Sequence, residues 1–129
     1  GLTRDTGPKE IVRATVESVA YQTHDLFEAM KNDGLKPKLI KVDGGMVKNN
    51  WFSQFLADVI NIKVLRPKVD ETTALGAAFM AGLQIGVYKS LKDISKNWKT
   101  DKSFNSKMNN HHRKNLIKGW KAAINRTLS

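Results

Sequence analysis

Apolar positions recur at steps of three and four through the first third of the chain: Val12, Val16, Val19, Thr23, Leu26 and Met30. That spacing is one face of a helix, and Ala20 and Phe27 widen the stripe. Gly7-Pro8, with Glu10 at the third helical position, supplies a start, because proline is tolerated at the first helical residue. Asn32-Asp33-Gly34 supplies a stop, with Gly34 suited to a left-handed cap.

The pattern then changes period. Pro37 opens a new segment, and Leu39, Ile40 and Val42 within Lys38–Val42 suit a short strand. Phe52, Phe55, Leu56, Val59 and Ile60 fall on one face of a helix from about Asn49 to Ile60. Lys63-Val64-Leu65 reads as a second strand, closed by Pro67. Strand, helix and strand in so few residues is a parallel crossover unit, almost always right-handed. In open parallel sheets, ligands bind beyond the carboxyl ends of the strands. Asp43-Gly44-Gly45 stands at such an end. Its glycines allow a sharp turn that bares backbone amides, and the helix start beyond them suits an anion such as a phosphate.

A third helix is expected after Asp70-Glu71-Thr72-Thr73, whose acidic and threonine residues favour an N-terminus. It carries Ala74, Gly76, Ala77, Ala78, Ala81 and Gly82, small residues that allow close approach of a neighbour or a ligand. Gly76 costs about 1 kcal/mol of helix propensity, so a packing reason is expected for it. Gly86 ends the helix. Residues 87–111 show no regular pattern and are expected to cross the surface, pinned by Trp98 and Phe104. A last helix spans about His112 to Thr127, with Leu116, Ile117, Trp120, Ala123, Ile124 and Leu128 on one face. The fold class is therefore α/β and helix-rich, with two short parallel strands and about four helices. There are no internal repeats.

Composition narrows the partners. The 129 residues suffice for one domain with a core. The net charge is +10, of which residues 90–129 hold +8. The first two thirds are thus nearly balanced, and the basic excess reads as a solubilising surface. A basic helical nucleic-acid-binding module in residues 89–129 is the rival from a different class. Its aromatics are few and its cations are spread around the helix, so nucleic acid is not the expected partner. No apolar run approaches the roughly 20 residues of a membrane span, and no membrane partner is expected. There is no cysteine, which fits a cytoplasmic protein. The chain starts at Gly1 without the form of a signal peptide; we read that start as a boundary within a longer protein.

Candidate chemistry is sparse. The sequence contains neither a G-x-x-x-x-G-K-[ST] loop nor a G-x-G-x-x-G fingerprint. No serine, histidine and acid set stands at a recognisable spacing, so no catalytic residue is assigned. His111-His112 lacks a carboxylate at metal-ligand spacing, and no metal site is assigned. Tyr21, Gln22 and His24 could form a polar site, but a lone histidine on an amphipathic helix is more often a surface residue. That leaves Gly44 and Gly45, which would let a flat ring or a phosphate approach the backbone. The Asn49 side chain, one turn on, could donate to or accept from such a ligand.

Taken together the motifs become specific. Asp43-Gly44-Gly45-x-x-x-Asn49-x-x-x-x-Gln54-x-x-x-Asp58 is followed by Val64-x-Arg66-Pro67-x-x-x-Glu71-x-Thr73-Ala74-Leu75-Gly76-Ala77-Ala78-x-x-Ala81-Gly82. With the upstream Arg13-Ala14-x-x-Glu17-Ser18-Val19-Ala20-Tyr21-Gln22-Thr23 helix, this order closely resembles the C-terminal half of the glycerol kinase branch of the FGGY carbohydrate kinases. The resemblance covers about residues 1–90. Residues 91–129 match loosely, in a terminal helix around Trp120-Lys121-Ala122-Ala123, and form a C-terminal extension ending in a basic amphipathic helix.

The resemblance implies part of an actin-like, ribonuclease-H-like ATPase domain and transfer of the ATP γ-phosphoryl to glycerol, giving glycerol 3-phosphate. It places Gly45 and Asn49 against the adenine nucleotide, with Gly44 shaping the loop, Asp43 holding it, and the Thr73–Ala78 helix start behind the pocket. It also implies that the phosphate loop, the catalytic aspartate and most glycerol contacts lie upstream of Gly1. ATP and Mg²⁺ would then belong to the full-length enzyme, and the 129 residues alone would be inactive. Another FGGY sugar kinase, such as one for a pentulose, is the nearer alternative. Val42 and Val64 are expected to leave a sheet edge open, favouring a homo-oligomer or a marginally stable piece.

Overall fold

The structure is a computed structural model and describes residues 2–69 and 71–128. Helix α1 (Pro8–Asn32) comes first, then strand β1 (Leu39–Lys41), a 3₁₀ turn (Gly45–Lys48) and helix α2 (Asn50–Ile60). Strand β2 (Lys63–Pro67), helix α3 (Thr72–Gln84) and the short helix α4 (Leu91–Ser95) follow, then strand β3 (Thr100–Phe104) and helix α5 (Asn110–Thr127).

The sheet corrects the two-strand expectation. β1 and β2 are parallel, with Ile40 opposite Val64, but β3 pairs antiparallel on the other side of β2, with Phe104 opposite Val64. The sheet is mixed and β2 is central, so Val64 is fully buried rather than at an edge. Residues 100–104 therefore do not simply cross the surface. Thr100-Asp101-Lys102-Ser103-Phe104 has no apolar alternation, and only Phe104 is buried. Backbone pairing with β2 holds this segment as a strand, and such pairing leaves no hydropathy signal.

The core sits between α2 and its neighbours. Phe52, Phe55, Leu56, Val59 and Ile60, the residues of the predicted face, are all buried, together with Ser53 and Ala57. Fully burying such side chains contributes about 1.5–3 kcal/mol each. α1 packs on α2 through Ala20 and Tyr21, with Val16 and Val19 partly buried beside them. The buried stripe of α1 is thus narrower than its spacing indicates, for Val12 and Leu26 stay exposed. α5 closes the core from the far side with Leu116 and Trp120, whereas Leu128 is exposed. The Trp120 ring stacks on Tyr21 at 5.4 Å, and its Nε1 donates to Asp25 Oδ2 at 2.6 Å.

The motif residues Gln54 and Asp58 bind the C-terminal segment to α2. Gln54 Nε2 donates to the Asn105 carbonyl at 2.8 Å. Asp58 Oδ1 accepts from the Lys107 and Met108 amides at 2.5 and 3.1 Å. Arg113 Nε donates to the Asp58 carbonyl at 2.5 Å. These bonds seat the turn between β3 and α5, and so fix where β3 meets β2.

Candidate functional site

Leaving β1, the chain makes one more ladder bond, from the Val42 amide to the Leu65 carbonyl at 3.0 Å. It then bends through Asp43 and Gly44. Gly44 has φ 94° and ψ 174°, a region in which a Cβ is strained, so glycine is required there. Gly45 begins the 3₁₀ turn at an ordinary φ, and a Cβ built on it meets nothing within 4 Å. Its role is therefore not to relieve strain or crowding inside these residues. Both glycines are exposed.

Asn49 ends the turn and caps α2. Its Oδ1 accepts from the amides of Trp51 at 2.9 Å and Phe52 at 3.4 Å. That is ordinary N-capping, worth about 1 kcal/mol. The sequence alone leaves the Asn49 side chain as donor or acceptor to a ligand. With Oδ1 engaged in the cap, Nδ2 is the group left for one.

Three further ties hold this loop. Thr72 Oγ1, at the first residue of α3, donates to Asp43 Oδ2. Ser53 Oγ, fully buried, donates to the Val47 carbonyl at 2.8 Å. Arg66 on β2 donates through Nη1 to the carbonyls of Val47 at 2.9 Å and Lys48 at 3.1 Å, and to Asn50 Oδ1 at 3.2 Å. The other side of the same guanidinium donates to Asp101 Oδ2, from Nε at 2.8 Å and Nη2 at 2.6 Å. In the sequence Arg66 stands only as part of the Arg66-Pro67 motif. Arg66 precedes a proline at a strand end, and nothing in the local spacing says which carbonyls it will reach.

Two concavities flank the loop. A cleft of about 250 Å³ is lined by Val42, Asp43, Pro67, Thr72, Gly76, Phe79 and Trp98. The start of α3 thus forms one wall of this cleft. A shallower apolar groove of about 490 Å³ is lined by Pro8, Val12, Arg13, Val16, Asn49 and Trp51. Arg13 lies over the Trp51 ring at 5.5 Å and pairs with Glu17 at 2.7 Å. Asp43 and Asn49 therefore face different hollows.

Two polar groups of α1, Glu10 and Tyr21, have structural partners. Glu10 accepts from the Gly7 amide at 2.9 Å, which lowers its carboxyl pKa and closes the start of α1. Tyr21 is pushed up to about 12, first by burial and then by the Glu17 carboxylate beside its hydroxyl. His24 lies in a hollow with Phe27, Ile60 and Asn61. Its Nδ1 is buried and 3.6 Å from Asp25 Oδ1. Tyr21 and Gln22 do not join it in a site: Tyr21 is in the core and Gln22 is exposed. Among the described residues, no group of three His, Asp or Glu side chains could hold a metal, and no helix is long and apolar enough to cross a membrane.

Comparison with known proteins gives this loop its context. Residues 1–85 match the model of the FGGY family of carbohydrate kinases, C-terminal domain. A glycerol kinase of Ectopseudomonas mendocina is 53% identical over 130 residues, covering 100% of this chain and 26% of that protein. Glycerol kinase 1 of Pseudomonas aeruginosa is 53% identical over 129 residues, with the same coverage. The chain therefore spans about a quarter of the length of these relatives. The crystal structure of Plasmodium falciparum glycerol kinase with ADP superposes with a TM-score of 0.84 at 38% identity, over 100% of this chain and 26% of that one. A ligand-bound xylulose kinase from Lactobacillus acidophilus shares the fold, with a TM-score of 0.78 at 24% identity over 99% of this chain and 26% of that one. Motif order, fold and sequence identity agree: the chain belongs to the FGGY family of carbohydrate kinases, of which it carries the C-terminal domain.

Proposed function

We propose that these 129 residues form one wall of the nucleotide site of an enzyme that transfers the ATP γ-phosphoryl to glycerol. The observation that carries this reading is the loop from Asp43 to Asn49. It is anchored at every polar side chain named above, yet it presents an exposed Gly45 with open space where a Cβ would be. A nucleotide laid against Gly45 would use that space, and Asn49 Nδ2 would donate to it while Oδ1 keeps the helix cap. Gly44 supplies the turn and Asp43 the tie to α3. The 53% identity to glycerol kinases favours glycerol over other polyols as acceptor. The ADP named with the Plasmodium relative supports an adenine nucleotide.

Phosphoryl transfer works chiefly by positioning and charge stabilisation. In this reading, the chain contributes positioning of the nucleotide. The acid that orients the glycerol hydroxyl and the groups that hold the phosphates lie outside it. Mg²⁺ belongs to the full-length reaction, and the described residues offer it no set of ligands. The enzyme would act in the cytoplasm and assemble as a homo-oligomer through edges such as that of β1. A strictly monomeric full-length protein by sedimentation would remove that last element.

The test uses two substitutions in the full-length protein. Gly45→Ala meets no neighbour, so it should leave the melting temperature within about 2 °C. It should weaken ADP binding about tenfold or more, because the new methyl group occupies ligand space. Asn49→Asp keeps the cap acceptor but replaces the Nδ2 donor with an acceptor, and should weaken binding likewise. Unchanged ADP affinity in both variants by titration calorimetry would falsify the reading. Glycerol-dependent ATP turnover by the purified 129-residue chain would overturn the assignment of the catalytic acid elsewhere.

A further inference from the structure

We infer that Arg66, oriented by Asp101, is a positioning residue for nucleotide binding, so that β3 sets the shape of the loop between Gly45 and Asn49. The inference deepens the proposed nucleotide site and rests on that reading. It starts from the number of acceptors one side chain reaches. Arg66 Nη1 meets the Val47 and Lys48 carbonyls and Asn50 Oδ1 within 3.2 Å, so it grips the chain on both sides of Asn49. These carbonyls end a 3₁₀ turn, where intrachain donors run out. A cation placed there satisfies them and opposes the partial negative charge at the end of the turn.

The grip needs an anchor. Asp101 Oδ2 accepts from both Nε and Nη2 of Arg66, at 2.8 and 2.6 Å, and this fixes the plane of the guanidinium. Five donors in one rigid plane are what such a double role requires, and lysine cannot supply them. Arg66 is mostly buried, its side chain 14% exposed, while Asp101 is 44% exposed on the edge strand. The guanidinium also lies 5.7 Å from the Phe104 ring, so β3 holds it from two residues. The register that sets Arg66 opposite Lys102 is disturbed between Arg66 and Pro67. That irregularity lies at the residue from which the guanidinium reaches both β3 and the loop.

Ser53 donates to the same Val47 carbonyl and would keep the turn folded if Arg66 were lost. Loss of Arg66 should therefore change the loop's detailed geometry more than its existence. The consequence is specific. Gly45 and Asn49 contact the nucleotide in this reading, so nucleotide affinity should fall while acceptor binding is unaffected.

The experiment uses the full-length enzyme with ADP, ATP and glycerol as probes and compares Arg66→Lys, Asp101→Asn and the double variant. Expected are rises in the ATP KM and the ADP Kd of about tenfold for Arg66→Lys and about threefold for Asp101→Asn. The glycerol KM should stay within twofold. The double variant should be no worse than Arg66→Lys, because the aspartate acts only through the arginine. Asp101 is half in solvent, so Asp101→Asn keeps the test decisive even where the Arg66 variant loses stability. Parallel rises in both KM values, or an ATP KM unchanged in variants of native melting temperature, would overturn the inference. A wild-type enzyme that fails to bind ADP would instead remove the nucleotide reading beneath it.

Discussion

Helices α2 and α3 are both expected from the sequence, α2 from its apolar face and α3 from its acidic and threonine start, and they meet opposite fates. α2 buries Phe52, Phe55, Leu56, Val59 and Ile60, together with Ser53 and Ala57. α3 buries only Gly82. Its alanines at 74, 77, 78 and 81 face solvent, as does half of Met80. Large side chains reach across to β2, α1 and α5 and make a core with them. Alanine and glycine have little reach of their own, and at the C-terminal end of α3 a side chain from beyond the helix closes on Gly82 instead. There the Tyr88 ring lies against Gly82, with the Phe79 ring edge-on at 5.5 Å. The contrast separates what this segment of chain explains by itself from what it does not.

The sharpest way to break the contrast is to truncate one phenylalanine on each helix. Phe52 is 3% exposed in the centre of the core, so Phe52→Ala should cost about 3–5 kcal/mol. Phe79→Ala, on a half-buried side chain, should cost about 1–2 kcal/mol, mostly its contact with Tyr88. Denaturant titrations measure both. Equal costs would mean that α3 is as well packed as α2 and that the comparison is mistaken.

A second prediction probes the α2 side alone. Tyr21 stacks on Trp120 and meets Phe55 edge-on at 5.7 Å, and its hydroxyl bonds Glu17 at 3.3 Å. Burial and the Glu17 charge both disfavour the phenolate and move its pKa from 10.0 to about 12. The raised value belongs to the folded state. Its stabilising contribution is therefore complete below pH 10 and is lost between pH 10 and about 12. Stability should fall across that window in the wild type and stay flatter in Tyr21→Phe. Identical alkaline profiles for the two proteins would show that Tyr21 is not the group responsible.

This contrast also marks what was legible in the sequence. The α2 face is legible because burial on one face repeats with a fixed period, the crossover because short apolar runs next to Pro37 and Pro67 flank that helix, and the loop glycines because a sharp turn calls for them. The positive φ of Gly44 follows from the same reasoning about sharp turns. β3 was not legible, since Asp101, Lys102 and Ser103 give it no apolar face and its pairing is made by backbone atoms. The anchors of the loop were missed for a related reason. Arg66 reaches residues 16–19 positions before it and Asp101 35 positions after it, distances that no local pattern encodes. Gln54 and Asp58 belong to the motif, but only the fold shows that they receive the turn leading into α5.

The smallest expected effects come from the two glycines of α3, and they test whether its bare face is covered in the longer protein. A Cβ on Gly82 would stand 2.9 Å from the Tyr88 ring, whereas one on Gly76 meets nothing within 4 Å. Gly82→Ala should therefore destabilise the 129-residue chain by about 1–2 kcal/mol, the clash outweighing the gain in helix propensity. Gly76→Ala should do the reverse and stabilise it by up to about 1 kcal/mol. The sequence pattern called for a packing reason at Gly76, and within the described residues there is none. If that reason lies in the rest of a longer protein, the sign of Gly76→Ala will depend on context. Stabilisation in the isolated chain should become neutral or destabilising in the full-length protein, where a neighbouring backbone fills the space. The same stabilisation in both settings would mean that the small-residue face of α3 stays open, and that Gly76 serves a ligand or a motion rather than packing.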